Sequence, residues 1–331
     1  MSRITLAEIE EAARRIAGRV LRTPVVASPS LTARCDAPIL LKMEQRQTTG
    51  SFKLRGATNA LLSLTAEERA RGVVAASTGN HGRGLAHAAA AEGVRCIVCM
   101  SNLVPANKVE AIRSLGAEIR IVGRSQDDAQ VEVDRLVAEE GMTMVPPFDD
   151  AAVIAGQGTI GLEIVEDVPD VAAVLVPLSG GGLASGIAAA VKALRPAVRA
   201  IGISMERGAA MQASLAAGRP VQVEELPTLA DSLGGGIGLD NRHTFAMARD
   251  LLDEVVLLSE EEIAAGIAHA YDEEREIVEG AGAVGIAALL ADKISLAGPT
   301  VVVVSGRNIA MDLHRRILCG ETPTGDAPCP A

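Results

Sequence analysis

Short runs of β-branched residues alternate with alanine-rich stretches of helical periodicity along almost the whole of this 331-residue chain. This alternation predicts parallel sheets covered by helices on both faces, because each sheet needs apolar partners on its two sides. The predicted strands are residues 39–43, 73–76, 95–100, 118–122, 171–178, 199–203, 254–258 and 300–305. Their number over this length favours an α/β fold of two doubly wound parallel-sheet lobes, with a closed barrel as the alternative.

The composition argues against several classes of function. The formal net charge is −11 and only 1% of the residues are aromatic, so binding of single-stranded nucleic acid by base stacking is not expected. No apolar run reaches the length of a membrane span. The N-terminal stretch MSRITLAEIEEAARRIAG is typical of an amphipathic helix and not of a signal peptide. The cysteines, which are few and mostly in apolar surroundings, predict a cytoplasmic protein.

The chain has five cysteines, an odd number. Cys96 and Cys99 lie in the apolar stretch RCIVCM, a predicted buried strand, and no second Cys or His pair stands near them. We interpret them as reduced core thiols, with a zinc or redox pair as the alternative.

Glycine-rich loops follow several of the predicted strands. They occupy residues 77–82, 178–186, 232–238, 278–285 and 305–308. Ligands of open α/β sheets bind at the carboxyl ends of the strands. The loops therefore predict one site that is assembled from several segments of the chain.

The loop LSGGGLASG at residues 178–186 follows an apolar strand and opens a helix, which favours an anion site made of backbone N–H groups. The N–H groups in question belong to Ser179, Gly180, Gly181 and Gly182. The spacing fails the dinucleotide pattern G-x-G-x-x-G at Ser185, and it fails the P-loop pattern at Ile187. The alternative is a glycine-rich turn without a ligand.

Two further loops carry hydrogen-bonding groups. STGNHG at residues 77–82 offers hydroxyl, amide and backbone donors that suit a carboxylate or a phenolate oxygen, although such residues are also ordinary helix caps. Ser305 ends a predicted buried strand, where its neutral hydroxyl is placed to meet one ligand atom or to satisfy the turn.

Lys53 stands in TTGSFKLRG, and it is one of only five lysines. The TTGS residues are predicted to cap a helix whose first turn holds Lys53. The positive end of the helix dipole, reinforced by Arg55, then favours the neutral amine, which is the form that makes a Schiff base. The other four are interpreted as solvated lysines: Lys42, Lys108, Lys192 and Lys293.

The chain resembles the fold-type II, tryptophan synthase β-like enzymes that use pyridoxal 5′-phosphate, and within them the threonine/serine dehydratases and serine racemases. The resemblance covers nearly the whole chain in the family's order. The matching segments are RTPVVASPSL, LLKMEQRQTTGSFKLRGATNA, STGNHGRGLAHAA, VPANKVEAIRSLGAEI, VIAGQGTIGLEI, VPLSGGGLASGIA and VVVVSGRN. PLSGGGL, SMERGAAM and SLGGGIG are similar to the hydroxyectoine-utilisation dehydratase branch.

The resemblance implies a role for each site residue. Lys53 is expected to bond covalently to the cofactor, Asn80 to meet its 3′-oxygen and Ser305 to meet its ring nitrogen. Glu279 is expected near the ring. The cofactor phosphate is expected at Ser179, Gly180, Gly181 and Gly182, and the substrate carboxylate at Ser77, Thr78, Gly79 and His81.

The resemblance also implies an organisation and an assembly. Residues 1–71 and 149–331 are expected to form a large cofactor-binding domain, and residues 72–148 a small mobile domain that closes onto it. The expected partner is a small amino-acid substrate bound by a homodimer, with neither nucleic acid nor membrane involved.

The implied activity is α,β-elimination from a β-hydroxy amino acid, which releases a 2-oxo acid and ammonia. The alternatives are a racemase, or a non-catalytic protein that binds the cofactor or an amino acid. Three departures from the family pattern qualify this expectation. Arg307 replaces a glycine in the last loop, Ser204 replaces the glutamate of cation-binding members, and Thr78 replaces the serine of racemases. We therefore predict no metal site.

Overall fold

A computed structural model describes residues 4–77, 79–104 and 106–323, and within these residues ten strands form two sheets. The larger sheet has the order β1-β2-β10-β7-β8-β9 and the smaller sheet the order β5-β4-β3-β6. The strands are β1 Val25–Ala27, β2 Ile39–Lys42, β3 Val73–Ala76, β4 Cys96–Met100, β5 Glu118–Ile121, β6 Thr143–Met144, β7 Ala173–Pro177, β8 Arg199–Met205, β9 Glu254–Leu258 and β10 Thr300–Val303.

Every strand pair in the two sheets is parallel except β1 with β2. Each parallel pair needs a crossover, and helices supply these crossovers. The predicted α/β class with two parallel-sheet lobes is therefore confirmed. β1 and β6, with three and two residues, were not predicted because such short strands carry no readable periodicity.

Fourteen α-helices lie within the described residues. They are α1 Leu6–Ile16, α2 Pro29–Cys35, α3 Lys53–Ser63, α4 Ala66–Arg71, α5 Asn80–Ala91, α6 Ala106–Arg113, α7 Gln126–Glu140, α8 Ala151–Asp167, α9 Gly182–Leu194, α10 Ala210–Ala217, α11 Thr244–Leu251, α12 Glu260–Asp272, α13 Gly280–Leu290 and α14 Met311–Leu318. The predicted N-terminal amphipathic helix is α1, which Thr5 and Glu8 cap reciprocally. No helix of these described segments is long and apolar enough to cross a membrane.

Alternate residues of β10 enter the two cores that cover the larger sheet. Val302 packs in the core that contains helices α12 and α13, whereas Val301 and Val303 pack in the core that contains α8 and α9. This alternation follows from the two-residue period of a strand, and it explains why β10 is apolar on both faces.

The smaller sheet has its own core, to which α3 contributes Leu54 and Leu61. Cys96 and Cys99 are buried within β4 as free thiols. The strands of this sheet all fall between residues 73 and 144, and the division of the chain at residues 72 and 148 stays a prediction. Helix α3 begins at Lys53 and lies before residue 72 in the sequence, yet it packs in the core of the smaller sheet.

Candidate active site

The predicted site loops meet at the carboxyl ends of strands from both sheets. The segment after β3 carries Asn80, whose Nδ2 donates to Oε1 of Glu279 at 2.6 Å. The backbone N–H of Phe52 donates to the carbonyl of Ser305, just beyond β10, at 3.0 Å. Together with the hydrogen bond from the Asn308 Nδ2 to the Asn80 Oδ1 at 2.6 Å, these contacts bring the loops at residues 77–82 and 305–308 close to the start of α3.

Lys53 is the first residue of α3, so its predicted place in the first turn is confirmed. The predicted cap is wrong, because the residue before the helix is Phe52, which has helical dihedral angles and forms no side-chain cap. The Lys53 Nζ donates to the carbonyl of Pro147 at 2.6 Å. No ion pair of Lys53 occurs among the described residues, so this lysine has a neutral partner only.

The ammonium of Lys53 lies deep among protein atoms, although the residue keeps some solvent exposure. This burial lowers the pKa of Lys53 to about 8, while the negative charge of Glu279 acts in the opposite direction. The lowered pKa agrees with the prediction, but its cause does not. Desolvation produces it, and Arg55 plays no part.

Arg55 belongs to a buried ion network made of Lys42, Glu44, Arg55 and Glu163. Its guanidinium donates to Glu44 at 2.8 and 2.9 Å and to Glu163 at 2.6 and 2.9 Å. The Lys42 Nζ bonds to Glu163 at 2.5 Å and is fully buried. The prediction of a solvated Lys42 is therefore wrong, because a carboxylate from α8 neutralises it inside the protein.

The glycine loop after β7 has the geometry of an anion site. Gly181 has φ +90° and caps α9, which begins at Gly182. The backbone N–H groups of Ser179 and Gly180 donate to no other described group, and the first N–H groups of a helix lack acceptors within it. Four adjacent donors at the positive end of a helix are therefore available to one anion.

Phe148 packs against this glycine loop. A Cβ on Gly180 would overlap the Phe148 ring, and a Cβ on Gly182 would come within 2.9 Å of the Phe148 carbonyl oxygen. Pro147, the preceding residue, accepts the hydrogen bond of Lys53. Neither residue was predicted from the sequence; the signal at this place is a rare phenylalanine in VPPFDD, one of three in the chain.

Glu279 is buried at the start of α13 and accepts two hydrogen bonds. Oε1 accepts from Asn80, and Oε2 accepts from the backbone N–H of Asn308 at 2.9 Å. Burial raises the pKa of Glu279 to about 7, and Asp231 adds to this, while the hydrogen bond from Asn80 opposes it. Asn308 was also missed, although it is the last letter of the recognised loop SGRN.

The remaining predicted residues line the same region. His81 is buried and its Nε2–H donates to the Val145 carbonyl at 2.7 Å; burial lowers the pKa of His81 to about 3, so the ring is neutral. The Ser77 Oγ accepts from the backbone of Gly79 at 3.4 Å. The hydroxyl of Ser305 donates to the Ala281 carbonyl at 3.3 Å. Thr78 lies outside the described residues.

Three buried polar atoms, in the loop before Lys53 and at the start of α5, have no hydrogen-bond partner within the described part of the chain. They are Thr49 Oγ1, Ser51 Oγ and His81 Nδ1. Unpaired buried polar atoms are rare in proteins unless a ligand completes them. Together with a low-pKa lysine and an anion-binding loop, they fit an aldehyde cofactor that carries a phosphate.

A lysine of lowered pKa and an anion-binding glycine loop in an α/β fold are features that a pyridoxal-phosphate enzyme requires. The chain belongs to the family described as "Pyridoxal-phosphate dependent enzyme", whose model matches residues 16–306. The predicted family and the predicted cofactor are therefore confirmed.

Three known proteins are similar to this chain over most of its length. A putative threonine dehydratase of Sinorhizobium fredii is 64% identical over 321 residues, which cover 97% of each chain. An L-threonine ammonia-lyase of Thermotoga maritima is 44% identical over 95% of this chain and 78% of its own length. The structure of maize serine racemase matches with a TM-score of 0.91 and 32% identity, over 96% of this chain and 98% of that one. The predicted relationship to dehydratases and ammonia-lyases is confirmed.

Proposed function

We propose that this enzyme removes water from a β-hydroxy amino acid, with pyridoxal 5′-phosphate bonded to Lys53, and releases a 2-oxo acid and ammonia. The observation that carries the proposal is the environment of Lys53. Its amine is buried, bonds only to a neutral carbonyl and has a pKa of about 8. The names of the dehydratase and ammonia-lyase relatives support the reaction type.

We assign each part of the cofactor to a place among the described residues. Asn80 would donate to the 3′-oxygen, Ser305 would meet the ring nitrogen and Glu279 would lie beside the ring. The helix end formed by Ser179, Gly180, Gly181 and Gly182 would bind the phosphate. When bound, the cofactor supplies an electron sink for the pair left at the substrate α-carbon.

Lys53 would also act on the substrate. With substrate in the site, a free Nζ would accept the α-proton as a general base. A pKa near 8 leaves a substantial fraction of the amine neutral at physiological pH and still allows it to hold the proton.

Ser305 favours elimination over a long-lived carbanion. Its hydroxyl is neutral and donates to a carbonyl at 3.3 Å, so no acid stands at this position to protonate a ring nitrogen. A neutral Ser305 would therefore leave the ring nitrogen unprotonated, which would favour prompt loss of the β-hydroxyl from the substrate.

The substrate carboxylate would lie against the loop that contains Ser77, Thr78, Gly79 and His81. The β-hydroxy amino acids that we consider are threonine, serine, 3-hydroxyaspartate and a hydroxylated diaminobutyrate derived from hydroxyectoine. The dehydratase and ammonia-lyase relatives, whose names carry threonine, favour threonine among them.

The test is release of ammonia and 2-oxo acid from each of the four compounds by the purified holoenzyme. The proposal expects both products in equal amounts from at least one compound. Absence of both products with all four would contradict it. Ammonia release that survives Lys53→Ala would contradict the assignment of the lysine.

Racemisation is the second candidate, and the match to maize serine racemase favours it. It requires a proton donor on the face opposite Lys53, where racemases carry a serine and this chain has Thr78. The β-branch of threonine restricts χ1 and adds bulk, so we expect elimination to be faster. Pyruvate and D-serine measured in one reaction with L-serine decide between the two; D-serine forming faster would make this enzyme a racemase.

We further propose a cytoplasmic homodimer whose residues 72–148 move toward the rest of the chain when substrate binds. The family resemblance and the separate smaller sheet support this organisation. Light scattering gives the mass in solution, and small-angle scattering with and without substrate reports the closure. A monomer, or an unchanged profile, would contradict the respective part.

A further inference from the structure

Asn308 lies where three segments of the chain meet. Its Nδ2 donates to the Thr49 carbonyl at 3.0 Å and to the Asn80 Oδ1 at 2.6 Å. Its backbone N–H donates to the Glu279 Oε2 at 2.9 Å. One residue therefore contacts the loop before Lys53, the first residue of α5 and the carboxylate at the start of α13.

The direction of these hydrogen bonds is determined at both ends by backbone groups. The Thr49 carbonyl only accepts, so the Asn308 amide must turn its Nδ2 toward it. The same Nδ2 then faces Asn80, which must present its Oδ1. At the other end, the backbone N–H of Asn308 only donates, so Glu279 accepts there, and its second oxygen accepts from the Asn80 Nδ2.

The space around Asn308 holds the amide in place. Gly50 has φ +78°, and a Cβ there would come within 2.7 Å of the Asn308 Oδ1. A Cβ on Gly306 would overlap the Glu279 carboxylate. Glycines at these two positions let the Asn308 amide and the Glu279 carboxylate approach the backbone closely.

We propose that Asn308 is a positioning residue that turns the amide of Asn80 so that an N–H, and not the carbonyl oxygen, faces the 3′-oxygen of the cofactor. The Nδ2 of Asn80 has two hydrogens, and Glu279 takes one of them. The second is left for the cofactor. A donor at this place stabilises the 3′-oxygen as an oxyanion, whereas a flipped amide would repel it. The inference rests on the proposed role of Asn80.

The first measurement uses Asn308→Ser, whose side chain is too short to reach Asn80. Asn308→Asp is the second variant, since it keeps the size of the side chain but replaces the donor by an acceptor. Titration of the apoenzyme with pyridoxal phosphate should show binding weakened about tenfold in both, as expected for the loss of a buried hydrogen-bond partner.

The visible spectrum at saturating cofactor is the readout that a merely structural residue would leave unchanged. The bound cofactor should shift to shorter wavelength in both variants, because more of its 3′-oxygen carries a proton. Asn59→Ser is the matched control. Asn59 is also buried and makes two hydrogen bonds, to the Ala152 carbonyl and from Arg15, and neither of these goes to a site residue. Its spectrum should be that of the unmodified enzyme.

The variant Asn80→Ser distinguishes failure of the proposed role of Asn308 from failure of the proposed role of Asn80. A shifted spectrum in Asn80→Ser, together with normal affinity and spectrum in both Asn308 variants, would overturn the role of Asn308 alone. A normal spectrum in Asn80→Ser would remove the proposed role of Asn80 and the inference with it. Shifts in the Asn80 and Asn308 variants, with none in Asn59→Ser, support the proposal.

Discussion

The buried ion network and the surroundings of Lys53 differ in whether a buried positive charge is paired with a carboxylate. In the network, Lys42 and Arg55 face two carboxylates, Glu44 and Glu163. Burial alone would raise the pKa of Glu163, but the two cations hold it below its usual value, so this carboxylate stays charged. Among the described residues, Lys53 has no carboxylate in an ion pair with it, and its pKa falls. The two lysines therefore differ in their ion pairing and not only in their depth.

Helix geometry explains how both environments arise within three residues of sequence. Lys53 and Arg55 are two positions apart at the start of α3. Residues i and i+2 of a helix do not face each other, so their side chains leave in different directions. Arg55 enters the network while Lys53 turns to Pro147. The predicted influence of Arg55 on Lys53 failed because adjacency in sequence is not adjacency of the two charges.

Replacement of Lys53 should produce the largest effect. Lys53→Ala would remove both the proposed covalent link to the cofactor and the proposed general base, and we expect turnover to fall by roughly 10²–10⁴-fold. Borohydride reduction of the unmodified enzyme should label a single peptide, the one that contains Lys53. Retention of both the visible absorbance and the turnover by Lys53→Ala would mean that another lysine holds the cofactor.

Replacement of Glu163 tests the paired side of the comparison. Glu163→Gln leaves Lys42 buried without its carboxylate and removes one partner of Arg55, so the free energy of unfolding should fall by about 3 kcal/mol. Chemical denaturation measures this change.

Glu166→Gln is the matched control on the same helix α8. Glu166 pairs with Arg22 at 2.8 Å, and both side chains are at least half exposed. Because solvent screens such a pair, we expect a loss of about 0.5 kcal/mol or less. Equal losses in the two variants would show that the buried network is not what stabilises this region.

The pH dependence of chemical labelling separates the two lysines directly. Since the pKa of Lys53 is lowered to about 8, its neutral fraction rises from about a tenth at pH 7 to about nine tenths at pH 9. Reductive methylation of the apoenzyme should therefore label the Lys53 peptide with a midpoint near pH 8. Lys42, buried and paired, should stay unlabelled in the folded protein. Labelling of Lys42 before Lys53 at any pH would contradict the expected difference between the two lysines.

Chelation should have the smallest effect. Ser204 is buried in β8, where cation-binding relatives carry a glutamate, and its hydroxyl contacts the Met205 sulfur at 3.4 Å. No group of three or more His, Cys, Asp or Glu side chains in the described residues is placed to hold a metal ion. We expect turnover to be unchanged after treatment with a chelator. A large loss that magnesium or calcium restores would show that other groups, such as Glu206, bind a cation.

Much of the fold and part of the site could be predicted from short segments of the sequence. All eight predicted strands correspond to observed strands, because alternation of β-branched runs with helical periodicity depends on neighbouring residues only. The glycine loop that begins at Ser179 and the place of Lys53 in the first turn of α3 were readable for the same reason. Turn chemistry and helix starts are properties of a few consecutive residues.

Only the tertiary structure decided which distant side chains meet. Glu163 lies 121 positions from Lys42, and Asn308 lies 228 positions from Asn80. No periodicity links such residues, since their contact depends on how the helices and sheets pack. The sequence by itself determined a lysine at a helix start among glycine loops. Packing determined that this lysine is buried without an ion pair to any residue that the structure describes, and desolvation, which outweighs the charge of Glu279, is what lowers its pKa.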